Sequence, residues 1–123
     1  MQTVKTDLAP QAIGPYSQAV VTGNTIYASG QIGLRPDGSL VTGSIEDEVL
    51  QVLENVDAIL TAAGVSRASV VKTTIFMTDL ANFEKVNQVY GNFFGDHRPA
   101  RSTVQVAALP KGAQVEIEVM AVS

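Results

Sequence analysis

From Ser44 onward the chain places Val49, Val52, Leu53, Val56, Ile59, Leu60 and Ala63 at steps of three and four, the spacing that gathers apolar side chains on one helical face. Ser44 can cap the start of this helix and Gly64 can end it. A second stripe, Phe83, Val86, Tyr90, Phe93 and Phe94, predicts another helix that begins at Asp79 and closes at Gly95. Elsewhere the period is two. Val115, Ile117, Val119 and Ala121 alternate with Glu116, Glu118, Met120 and Val122, as a strand with one buried face does. "VVKTTIFMTD" and "STVQVAAL" read as further strands, and "SQAVVTGNTIYASGQIG" as two β-rich runs joined at Thr22-Gly23-Asn24. Pro36-Asp37-Gly38 and Pro110-Lys111-Gly112 mark turns, and the polar, Pro-containing start is not counted among the strands. The resulting order, β-β-α-β-α-β-β, describes an α+β fold with a mixed sheet.

Two helices can cover only one face of such a sheet. The other face would carry Thr, Gln, Glu and Met rather than the Lys/Glu pattern of an open antiparallel face, so another copy of the chain is expected to cover it. At 123 residues, with no repeat or linker-like stretch, residues 1–123 are expected to form a single domain. Net charge is -4 and the eight Lys and Arg are scattered, which argues against nucleic acid as the main ligand. The chain has no cysteine, hence no disulfide, thiol nucleophile or zinc-thiolate site. It shows neither a signal-peptide pattern nor an apolar run long enough for a membrane, and the cytoplasm is the expected address.

The common catalytic motifs are absent: no GxxxxGK[ST] phosphate loop, no GxSxG elbow, no HExxH pair. His97, the single histidine, cannot build a multi-histidine metal site and fits a surface role beyond a helix end. Arg101 is more pointed. It stands between Pro99 and an apolar strand, where it is either an ion-pair partner or a fork that grips a carboxylate. Glu116 and Glu118 share one face of the last strand, as solvated carboxylates or as a cleft group that orients and deprotonates water. Asn87 interrupts the second helix stripe and needs partners if buried, while Tyr16 is a core ring or a phenol that reaches a pocket. The glycines of "SGQIG", Ser29 to Gly33, suit a bulge or close packing better than an anion cradle.

Taken together and in order, "AIGPYSQAV", "YASGQIG", "VNQVYGNFF", "RPARSTVQVAALPKGA" and "VEIEVMAV" resemble the reactive intermediate deaminase (Rid, YjgF/YER057c-type) family over nearly the whole chain. Arg101 and Glu116 together resemble its archetypal RidA branch. The resemblance implies a chorismate-mutase-like fold and a homotrimer with a central barrel and three clefts between subunits. It implies hydrolysis of 2-imino acids, such as 2-iminopropanoate and 2-iminobutanoate, to 2-oxo acids and ammonia, with no cofactor or metal. These imines arise from enamines released by pyridoxal-phosphate dehydratases. By position, Arg101 resembles the arginine for the substrate carboxylate and Glu116 the acid that positions or activates water. Tyr16, Ser29 and Asn87 resemble pocket-lining residues, and Gly30 and Thr103 the backbone that meets the bound acid. Many bacterial relatives have cysteine where this chain has Thr103; a main-chain contact survives that change, whereas a thiol's redox role does not. Two rival readings stand beside this one: an endoribonuclease or translation inhibitor, as some members of the family are described, and a non-catalytic binder of small 2-oxo acids or protein-interaction module using the same clefts.

Overall fold

In the computed structural model, which describes residues 1–123, eight segments with α or β geometry follow one another along the chain. They are β1 (Gln2–Val4), β2 (Ala19–Thr22), β3 (Thr25–Gln31), α1 (Ile45–Ala62), β4 (Val70–Met77), α2 (Phe83–Phe94), β5 (Ala100–Gln105) and β6 (Val115–Val122). The strands form one sheet in the order β1-β2-β3-β6-β4-β5. Only β4 and β5 run parallel, and α2 is the connection between them, as a parallel pair needs a crossover. The α+β class and mixed sheet expected from the sequence are therefore present.

α1 forms where its stripe predicts. Ser44 Oγ accepts from the Asp47 N–H at 3.1 Å, and the chain leaves the helix through Gly64 at φ +84°, a conformation that favours glycine. Val49, Val52, Leu53, Val56, Ile59 and Leu60 are all buried against Ile26, Ile75, Ile117 and Val119 of the sheet. Removing a large side chain from this layer costs about 2 to 5 kcal/mol. Val86, Tyr90 and Phe94 of α2 complete the core.

Three boundaries differ from the sequence reading. β1 is an additional edge strand that pairs Thr3 with Val20; three residues are too few to show an alternation. Asp79 caps a short 3-10 turn, Leu80–Asn82, and α2 begins only at Phe83. β5 ends at Gln105, although the Val106 N–H still donates to Met77 O at 2.8 Å.

Buried amides pin the loops that the sheet does not reach. Asn55 on α1 donates to Leu34 O at 2.8 Å, and Gln18 donates to Pro10 O at 2.8 Å while accepting from the Thr6 N–H at 2.7 Å. Both side chains are almost fully enclosed, so each bond replaces one that water would otherwise make. The face of the sheet opposite the helices stays uncovered in the single chain, with Tyr27, Val104 and Val122 exposed on it.

Candidate active site

The two strands that flank β4 carry the charged candidates, and the register decides where each points. Arg101 on β5 lies opposite Thr73 of β4, and Glu116 on β6 lies opposite Phe76. Residues paired across a sheet project to the same side, and positions 73 and 76 of one strand project to opposite sides. Arg101 therefore stands on the helix-covered side with Thr73, and Glu116 on the uncovered side. One chain does not bring them into a single pocket.

Glu116 lines a cleft close to 410 Å³ together with Tyr16, Ser29, Gly30, Gln18 and Lys111, so four of the expected residues meet here. A β-bulge between Ala28 and Gln31 creates this arrangement by bending β3 at Ser29-Gly30. Ser29 Oγ donates to Ser17 O at 2.6 Å, and its N–H donates to Gln18 O at 2.9 Å, which ties the bulge to the segment bearing Tyr16. Tyr16 is half exposed, and its hydroxyl accepts from the Ile13 N–H at 3.3 Å. Gly30 packs directly on the Glu116 carboxylate: a Cβ there would lie 2.8 Å from Glu116 Cδ. Burial raises the Glu116 carboxyl above its ordinary value, and the neighbouring Glu118 raises it further. Such a carboxyl can hold a proton and release it nearer neutrality than a solvated one.

Arg101 lines a second cleft, close to 370 Å³, with Asn87, Tyr90, Gly91, Arg98 and Pro99. Its guanidinium donates to Asn87 Oδ1 at 2.7 Å and lies 5.1 Å from the centre of the Tyr90 ring and 5.5 Å from that of Phe83. Asn87 thus serves as a holding amide for the cation. Tyr90 is fixed in turn by a 2.7 Å hydrogen bond between its hydroxyl and that of Thr73, a residue with no exposed surface. Burial raises the Tyr90 phenol above its ordinary value, although Thr73, Arg101 and Arg98 oppose that shift. The cleft contains no carboxylate, and the one ion pair in the chain, Arg67 with Asp57 at 3.1 Å, lies elsewhere. A forked cation held by neutral groups retains unused donors for a planar anion.

Thr103 lines neither cleft. It faces the same side as Arg101, opposite Ile75, and its Oγ1 is buried without a partner. His97 donates from Nε2–H to Val70 O at 2.6 Å beside Phe94, which gives it a packing role at the end of α2. No three His, Cys, Asp or Glu side chains gather as metal ligands would. Sequence reasoning missed Gln18, Tyr90 and Lys111 as cleft residues. Lys111 alone gave a hint, because it lies within a Pro-Lys-Gly turn where it adopts φ +58°.

Comparison with known proteins extends these observations. Residues 6–123 match the family described as Endoribonuclease L-PSP. The human 2-iminobutanoate/2-iminopropanoate deaminase is 49% identical over 122 residues, spanning 98% of this chain and 89% of that protein. The structure of RidA from an Antarctic Psychrobacter superposes with a TM-score of 0.96 at 48% identity, covering 100% of both chains. That of E. coli TdcF with bound serine gives a TM-score of 0.96 at 44% identity, covering 100% of this chain and 99% of that one. With a family match over residues 6–123, about half of its residues shared with the human deaminase and the same overall fold as its solved relatives, the chain belongs to this family, the YjgF/Rid family of reactive intermediate deaminases.

Proposed function

We propose that this protein is a 2-iminobutanoate/2-iminopropanoate deaminase, hydrolysing small 2-imino acids to 2-oxo acids and ammonia. The observation that carries the reading is the Arg101 cleft, a guanidinium positioned by Asn87 and two aromatic rings and left without a carboxylate. The names of its relatives point the same way, and serine, bound in the E. coli relative, is itself a small molecule with an α-carboxylate.

In this reading Arg101 of one chain grips the substrate carboxylate, and Glu116 of a neighbouring chain completes the site. The opposite facing of the two residues supports a cleft between copies, and the uncovered sheet face supports the homotrimer. Backbone near Gly30 borders the acid, and Tyr16, Ser29 and Asn87 line the pocket; Thr103 lines neither cleft of the single chain, and its backbone meets the acid only where β5, the edge strand that also carries Arg101, faces the neighbouring copy. The chemistry needs little more than orientation, because a protonated imine carbon is already electrophilic. Glu116 accepts a proton from water as the oxygen adds to C2. It then returns that proton to nitrogen, and as the C–N bond breaks the new hydroxyl gives its proton to the Glu116 carboxylate, leaving the 2-oxo acid and ammonia; that proton passes on to the departing ammonia, which leaves as ammonium and restores the base. Glu116, its carboxyl raised by burial, suits these transfers.

The family description contains the word endoribonuclease, yet a net charge of -4 with scattered basic residues opposes RNA as the main substrate. No helix is long and apolar enough to cross a membrane, and a cytoplasmic setting remains part of the proposal. The deciding assay couples threonine dehydratase to the purified protein with semicarbazide as imine trap. The protein should divert imine from semicarbazone to 2-oxobutanoate; an unchanged partition would leave it a binder.

A further inference from the structure

α1 carries a carboxylate on its buried face. Glu48 is 4% exposed, one turn from Ile45 and from Val52, and no cation pairs with it. Its Oε2 accepts from the backbone N–H groups of Gln114 at 2.7 Å and Val115 at 3.2 Å, and its Oε1 accepts from Gln114 Nε2 at 3.2 Å. Gln114 precedes β6 and Val115 begins it, immediately before Glu116. On its other side Glu48 is in contact with Gly33, where a Cβ would lie 2.7 Å from Glu48 Cγ. The segment from Gly30 to Gly33 is therefore gripped at both ends, by Glu116 of β6 and by Glu48 of α1. Glu48 lines neither cleft, and imine hydrolysis makes no use of it.

We infer that Glu48 is a positioning residue for Glu116, and that it acts as a hydrogen-bond acceptor rather than as a charge. The inference rests on the proposed role of Glu116 in handling water. A single oxygen takes both backbone donors, and a glutamine carbonyl can do the same. The new amide nitrogen would then face the Gln114 side chain, which can turn to present its own oxygen. Alanine offers no acceptor and leaves two N–H groups unpaired at the start of β6. β6 would then shift, and Glu116 would leave its seat against Gly30 and become better solvated.

The test uses Glu48→Ala, Glu48→Gln, Gly33→Ala and Glu116→Gln, each assayed for 2-iminobutanoate turnover at a temperature where circular dichroism shows it folded. Glu48→Ala should lower kcat about tenfold with KM changed less than about twofold, since Arg101 is untouched. It should also move the acidic limb of the pH profile downward, toward that of an ordinary glutamate. Glu48→Gln should restore both readouts. If Glu48→Ala does not fold, Gly33→Ala, which pushes on Glu48 from the other side, should move the same limb in the same direction. A folded Glu48→Ala with native kcat and native limb would overturn the inference, as would a Glu48→Gln as defective as alanine. Turnover retained in Glu116→Gln would instead remove the water-handling role of Glu116, and the inference with it.

Discussion

Asn87 Oδ1 accepts a hydrogen bond from the Arg101 guanidinium at 2.7 Å, so the cation is oriented by a neutral amide and its charge is left uncompensated. An ion pair would have neutralised the cation and occupied its fork. Replacing Arg101 by alanine should therefore reduce kcat/KM by roughly a hundredfold, the loss of two charge-assisted hydrogen bonds, with the fold intact. Lysine should recover part of this, because it keeps the charge and loses the fork. Steady-state kinetics beside circular dichroism checks both.

Glu116 should set the acidic limb of the pH–rate profile. Burial first and Glu118 second raise its carboxyl, so the limb should lie above the ~4.3 of an ordinary glutamate. Glu118→Gln removes the second cause and should move the limb downward, with a small effect on the plateau rate.

The same shift has a sign for stability. A carboxyl raised in the folded state favours folding below its unfolded pKa, and that contribution disappears as pH rises through the folded value. Glu116→Gln should therefore have a higher Tm than the parent at pH 7, and the difference should shrink toward pH 4 in thermal melts.

Gly30 is required by close approach. A Cβ at this position would lie 2.8 Å from Glu116 Cδ, so Gly30→Ala must displace the carboxylate. The variant should fold, lose most turnover and keep its affinity for 2-oxobutanoate within a few fold, as measured by calorimetry.

Tyr90 and Thr73 share a buried hydrogen bond under the Arg101 guanidinium. Tyr90→Phe leaves the Thr73 hydroxyl unpaired and should cost about 1 to 3 kcal/mol in urea denaturation. Tyr90→Phe with Thr73→Val removes both partners and should cost less than the sum of the single changes.

Much of this arrangement is legible in the sequence where periodicity is long. The stripe from Val49 to Ala63 and the alternation from Val115 to Val122 each repeat several times, and α1 and β6 form there. β1 spans three residues, below the length at which alternation shows. Arg101, Asn87 and Glu116 are conspicuous as residue types. That the charged pair faces opposite ways follows from the pairing of Thr73 with Arg101 and of Phe76 with Glu116, a long-range register that no local pattern encodes. Glu48 was missed for a related reason: its partners, Gln114 and Val115, lie more than sixty residues away.

If each site combines Arg101 of one chain with Glu116 of another, two inactive variants should repair each other. Arg101→Ala and Glu116→Ala protein, unfolded together in equal amounts and refolded, should regain about a quarter of parental turnover in a closed ring, because one interface in four then holds both native residues. Each variant refolded alone should stay inactive. A mixture no more active than its components, despite mass spectrometry showing mixed assemblies, would contradict the shared site.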